Sequence, residues 1–286
     1  MNSPEGPIEQ FDPQPLYEQA LREHPEFASI PAAEITALIS QIAEEIRVLE
    51  EVAERETPRL ELTPAEAKKI AAIWVLSGVG TYDTPLKETE RAVYKEHPWI
   101  QWADRARLNH AAILARRVAE AKSGKRFEQG GLGDIEERKK NIKAAIEAYG
   151  PDIIYNGTQL ENDTVGEVLA LEGTVIPEDR VRVIRGTADQ PIVNTTDNIK
   201  TFKLPRPLAA DEELAVVAHA PHLVRVMRIV NQFKPFPAGT KVRLFPLPTP
   251  PEAKTTYREM EILGILNYVF RKKEATAEPY PYELGG

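Results

Sequence analysis

The sequence predicts an α/β protein: a Rossmann-like, mainly parallel sheet of about five strands, helices on both faces, and an N-terminal helical extension. Three observations predict it. Short apolar runs alternate with longer stretches of helical periodicity across residues 64–271, the pattern of repeated βα units. The first of these runs, Ile70-Ala71-Ala72-Ile73-Trp74-Val75-Leu76, is continuously apolar, as a strand covered on both faces must be. The charge divides at the same boundary: residues 1–63 carry 14 Asp and Glu against 4 Lys and Arg, whereas residues 64–286 carry 30 against 32. The domains expected are therefore an acidic helical extension, 1–63, and an α/β domain with a C-terminal helix, 64–286.

The elements follow in order. Residues 1–28, rich in Pro and Glu, predict irregular structure or a short helix. From Pro31 onward, Ile35, Leu38, Ile39, Ile42, Ile46, Leu49 and Val52 recur every three or four residues, an amphipathic helix whose opposite face holds Glu44, Glu45, Glu51 and Glu54. Thr63-Pro64-Ala65-Glu66 is a capping box with proline at the first helical position. After the first strand come helices over about 103–121 and 134–149, the latter with Ile135, Ile142, Ala145 and Ile146 on one side and Gly150-Pro151 as its stop. Asp152 to Asn156 is a second strand, 161–172 a helix closed by Gly173, and Val181 to Ile184 a third strand. A helix over 195–203, a fourth strand Leu214 to Ala218, a helix near 222–233, a fifth strand Lys241 to Phe245 and a helix over 255–271 complete the pattern. The last helix turns Tyr257, Met260, Leu263, Leu266 and Phe270 inward.

Composition removes several classes of function. With no cysteine there is no disulfide framework, thiol nucleophile or cysteine metal site. The longest basic cluster, Arg271-Lys272-Lys273, is too small for a nucleic-acid-binding face. No basic start followed by an apolar run marks a signal peptide, and no apolar run reaches the roughly 18 residues of a membrane span. A cytoplasmic location is expected, with no membrane or nucleic-acid partner.

In an open α/β sheet, ligands bind beyond the carboxyl ends of the strands, and here those loops are polar. Ser77-Gly78-Val79-Gly80 follows strand one, and its glycines let backbone N–H groups approach an anion, or simply make a tight turn. Asp104-Arg105 opens the next helix, either as a ligand-contacting pair or as a surface pair suited to the helix dipole. Asn156-Gly157 follows strand two, and Asn194-Thr195-Thr196-Asp197-Asn198 offers more polar groups than a helix cap needs. At the end of strand four, His219-Ala220-Pro221-His222-Leu223-Val224-Arg225 puts His222 and Arg225 on one helical face. A zinc reading of His219 with His222 lacks a nearby acidic ligand. Trp99 and Trp102 either face an adenine-like ring or pack in the core.

In this order, Gly78 and Gly80, Asp104 with Arg105, Asn156 with Gly157, Asn194, Thr195, Asp197 and Asn198, and His222 with Arg225 resemble the YdcF, SanA and ElyC family, catalogued as a domain of unknown function. The resemblance covers roughly residues 70–248. Ser77 stands where the family often has glycine, and Asp197 where it usually has Glu. The resemblance implies a Rossmann-like fold with a polar pocket at the strand ends. For YdcF-like members it implies S-adenosylmethionine or a nucleotide-like molecule as ligand, and the absence of an apolar span places this chain with the YdcF-like soluble branch.

The function expected is binding of an anionic, nucleotide-like small molecule, with S-adenosylmethionine as the candidate cofactor. Ser77, Gly78, Gly80 and the 194–198 segment would supply donors, Arg105 and Arg225 positive charge, and Asp104 or Asp197 a contact to a ribose hydroxyl. His222 is the acid/base candidate. The alternative is a non-catalytic interaction or regulatory protein that meets a protein partner, or a second copy of itself, through residues 1–63.

Overall fold

The computed structural model describes residues 11–56, 62–77, 98–127, 135–170, 175–187, 189–251 and 253–285, with the side chains of 98–105, 160, 164, 167, 168 and 170 excepted. Within them, helix α1 (Gln14–Glu23), a 3-10 turn at Pro25–Ser29 and the long helix α2 (Ala32–Glu56) precede α3 (Pro64–Lys69). The capping box at α3 is formed: Thr63 accepts from the Glu66 N–H, and the Glu66 carboxylate accepts from the Thr63 N–H. Strand β1 (Ile70–Leu76) follows directly.

Next come α4 (Pro98–Ser123), α5 (Ile135–Tyr149), β2 (Asp152–Asn156), α6 (Gln159–Ala170), β3 (Val181–Val183) and α7 (Thr195–Thr201). The second half comprises β4 (Glu213–His219), α8 (Ala220–Phe233), β5 (Lys241–Leu247), α9 (Lys254–Leu266) with a wider π turn over Asn267–Lys272, and β6 (Glu283–Leu284). The expected strands and helices are present to within a few residues at their ends, and Gly173 lies outside the described residues. The short sixth strand went unpredicted, because two residues carry no periodicity.

The sheet is parallel throughout, in the order β3-β2-β1-β4-β5-β6. This is the Rossmann order, in which the chain moves outward from β1 to β3 and then returns to β1's other side with β4. Alternate residues of the strands feed two cores. Ile73 and Val75 with Ile153, Tyr155, Ala215 and Val217 face α4, α5 and α6. Trp74 and Leu76 with Val216, Ala218 and Leu244 face α2, α7, α8 and α9. Ile70 joins the first group despite its even spacing from Trp74, because one extra residue bulges between Ile70 and Ala72 where β1 pairs with β4.

Helix α8 lies against the sheet, and α2 and α9 lie against α8. As a result every residue from Ala220 to Val230 is buried. The stripe Ile35, Leu38, Ile39, Ile42, Ile46 and Leu49 is consumed in this packing, so α2 is a layer of the chain's own core and presents no free apolar face.

Two inward-facing expectations are corrected. Met260 is 38 % exposed and Ile135 is 59 % exposed. The stripe drawn through Tyr257, Met260, Leu263 and Leu266 steps by threes, whereas an α-helix turns every 3.6 residues, and the buried face of α9 runs instead through Tyr257, Glu261, Ile262, Ile265 and Leu266. Ile135 is the first residue of α5, a turn beyond the surface its later residues cover. No helix among the described residues is long and apolar enough to cross a membrane.

Candidate functional site

Strand β4 runs into α8 without a loop. His219 ends the strand and stands at the helix N-cap, and Pro221 in the first turn has the fixed φ and missing N–H that this position tolerates. His222 thus falls in the first turn of α8, with Arg225 one turn on. Both are buried. Arg225 Nη2 lies 3.4 Å from His222 Nδ1, and Arg225 Nε lies 3.1 Å from Oε2 of Glu261, which α9 brings over α8. The other Glu261 oxygen is 3.9 Å from His222 Nδ1. Tyr257, one turn before Glu261, meets the His219 ring edge-on at 6.4 Å.

From the opposite face of the sheet, α4 contributes Arg107, which is fully buried. Its Nη1 donates to the Leu76 carbonyl at 2.9 Å and its Nε to His219 Nδ1 at 3.0 Å. One side chain therefore ties the carboxyl end of β1 to that of β4, the pair of strands between which the strand order reverses. Ligand sites of open α/β sheets lie at this switch point. His110 follows Arg107 by one helical turn and is also buried.

Burial dominates the electrostatics. It pushes all three imidazoles toward the neutral form: His110 falls to about 4, and His219 and His222 fall well below the ordinary histidine value. Arg107 and His110 add to the effect at His219, and Arg225, Arg107 and His219 add to it at His222. Burial raises the Glu261 carboxyl, against the pull of Arg225 and Arg107, and it raises the Tyr257 hydroxyl. The field at both strand-end imidazoles is positive, which favours an anion beside them.

The carboxyl end of β2 forms the other part of the rim. Ser77 N–H donates to the Asn156 carbonyl, and Asn156 Nδ2 donates to the Asn198 carbonyl at 2.7 Å, joining β1, β2 and α7. Gly157 is required by a close approach: a Cβ there would lie 2.7 Å from the Ser77 Cβ. Asn162 fastens this turn, accepting from the Gly157 N–H and donating to the carbonyls of Gly157 and Ile184.

Ser77, Asn156, Gly157 and Asn198 are thus gathered at one rim, and His222 and Arg225 at the neighbouring strand end. Asn194 and Asp197 are spent locally: Asn194 accepts from the Asp197 N–H, and Asp197 accepts from the Val193 N–H. Thr195 is buried beside them. Gly78 and Gly80 lie outside the described residues, as do the side chains of Trp99, Trp102, Asp104 and Arg105.

Sequence reasoning missed Arg107, His110, Asn162, Tyr257 and Glu261. A signal existed for two of them. Arg107 is in phase with Ala111, Leu114 and Val118, and Glu261 with Tyr257 and Ile265, so each is a charge on an apolar stripe. Asn162 carried no such mark.

Several buried polar atoms have no hydrogen-bond partner among the described residues: His110 Nε2, His222 Nε2, Asn156 Oδ1, Asn198 Oδ1 and both Glu261 oxygens, the last poorly aligned with Arg225 despite the short distance. Such atoms cost about 1–3 kcal/mol each when left unsatisfied, so their presence at the neighbouring ends of β2 and β4 is a functional signal. No group of three or more His, Cys, Asp or Glu side chains among the described residues is arranged to hold a metal ion. Comparison of the chain with family models, with curated proteins and with solved structures finds no match.

Proposed function

We propose that the chain is a YdcF-like protein that binds an anionic, nucleotide-like small molecule, with S-adenosylmethionine among the candidates, at the carboxyl ends of β1, β2 and β4. The observation that carries this reading is the convergence of buried hydrogen-bonding atoms that have no partner among the described residues at the switch point of a Rossmann-ordered sheet. Arg107 and Arg225 supply the positive field there, while Asn156 and Asn198 offer amide oxygens to hydroxyl or amino groups of the ligand. The 194–198 segment contributes through Asn198 alone, because Asn194 and Asp197 are engaged in capping.

Thermal-shift and calorimetric titration with S-adenosylmethionine, nucleoside mono-, di- and triphosphates and sugar phosphates tests it. Saturable binding that is weakened at least about tenfold by Asn198→Ala, the worth of a hydrogen bond to a charged or strongly polar ligand group, is the expected result. A parent protein that responds to none of these compounds overturns it.

A further inference from the structure

The two arginines of the switch point do more than supply charge. A guanidinium is a donor only, so a ring nitrogen that faces one must be the acceptor. Arg107 Nε faces Nδ1 of His219 at 3.0 Å, and Arg225 Nη2 faces Nδ1 of His222 at 3.4 Å. In both neutral imidazoles the proton is thereby assigned to Nε2. At His222 the competing arrangement, with Nδ1 protonated and donating to Glu261, meets an oxygen 3.9 Å away, beyond hydrogen-bond reach. His222 Nε2 is buried and has no partner among the described residues.

We infer that His222 serves as a neutral Nε2–H donor to an oxyanion of the bound ligand, and not as a proton acceptor. The inference rests on the ligand site proposed above and gives His222 a role opposite to that of a general base. The oxyanion is one oxygen of a phosphoryl, sulfuryl or carboxyl group, held by an uncharged donor inside the field of two arginines. A neutral donor does not lose its proton as the pH rises past the ordinary histidine range, so the contact persists where an imidazolium contact would vanish. The charged and titratable groups facing His222 agree with this state: Arg225 on α8, Arg107 on α4 and His219 at the end of β4 all disfavour the imidazolium, and the Glu261 carboxyl on α9, beside Tyr257, is itself raised by burial toward its neutral form.

The test is nitrogen-detected NMR of the histidine rings in the full chain, with His222 assigned through bonds from its own backbone so that no variant is needed. Sulfate is the probe, because it stays a dianion throughout. Between about pH 5.5 and 8, spanning the ordinary histidine value, His222 is expected to remain neutral with its proton on Nε2, and the Nε2–H signal is expected to move saturably as sulfate is added. An imidazolium, or a proton on Nδ1, anywhere in that range overturns the inference. So does sulfate that moves the side-chain amides of Asn156 and Asn198 while leaving His222 unchanged, a result under which the ligand site itself survives. If sulfate moves none of the three residues and no compound of the nucleotide panel binds, both readings fall together.

Discussion

Helix α8 carries two buried arginines one turn apart, and the two have been given different surroundings. Arg228 meets Glu45 of α2 at 2.6 Å and donates to the carbonyls of Val224 and Ala277. Glu45 also accepts from the Tyr282 hydroxyl and keeps some contact with solvent. Arg225 meets Glu261 of α9, but that carboxyl is almost wholly enclosed, and neither of its oxygens is in a well-aligned hydrogen bond among the described residues. The first arrangement spends most of its hydrogen-bonding capacity inside the chain, Arg228 Nη2 being the one nitrogen of the pair with no partner among the described residues. The second leaves the Glu261 oxygens, His110 Nε2, His222 Nε2 and the side-chain oxygens of Asn156 and Asn198 without a hydrogen-bond partner among the described residues. A buried ion pair is thus ambiguous by itself, and what distinguishes a fastening from a site is the number of atoms around it that lack a partner.

The largest effect should come from breaking the fastening. Arg228→Met strands Glu45 and opens two carbonyls at the junction of α2, α8 and the C-terminal segment, and urea denaturation should show a loss of about 3–5 kcal/mol. A loss below about 1 kcal/mol would mean that Arg228 is no fastening at all. Next comes acidification, which should strike the site. His110 has a folded value of about 4 against an unfolded value near 6.5, so the unfolded chain takes up a proton that the folded one refuses. Its contribution is complete above pH 6.5 and is lost as the pH falls toward 4, by about 3 kcal/mol; His219 and His222, lowered in the same direction, add to it. Denaturation across this window should show a steep decline that His110→Gln makes shallower, and identical profiles for the two proteins would contradict the assignment.

Matched substitutions sharpen the contrast further. Glu45→Gln should cost about 1–3 kcal/mol, since Arg228 loses a charged acceptor. Glu261→Gln should cost less than Glu45→Gln, because burial raises the Glu261 carboxyl and so opposes the charge that the substitution removes. Equal losses in calorimetric melting would erase the distinction between the two regions. As a smaller reference far from both arginines, Thr63→Ala should remove the α3 capping box at a cost of about 1 kcal/mol, with no change in ligand affinity.

The fold was legible because its two periodicities are strong. The apolar run of β1 and the i, i+3, i+4 spacing of α2 each admit one structure, and both formed at the expected positions. The site was legible only where its residues sit at strand ends. His222 and Arg225 could be found because β4 and α8 adjoin in sequence, and Asn156 and Asn198 because turns and caps are rich in such residues. Arg107 and Glu261 reach the same place from the middle of helices 31 and 39 residues away from their nearest strand-end contacts, Leu76 and His222. Which face of α4 or α9 carries them there is decided by packing against the sheet; the Asp104-Arg105 segment, whose side chains lie outside the described residues, drew attention to the start of the helix that also carries Arg107.

The contacts around Glu45 also set a clock. Tyr282 and Glu278, which meet Glu45 and Gln41 in α2, are each 237 residues further along the chain than their partners. Contacts of such separation form late, and during synthesis they must wait until residues 278–282 have been added. Until then α8, with Arg228 at its centre, has only part of its cover, and the nascent α2 carries an apolar stripe in need of shelter. The acidic face of that helix, with Glu44, Glu45, Glu51 and Glu54, stays charged through this interval, so like charges oppose the approach of two such waiting segments.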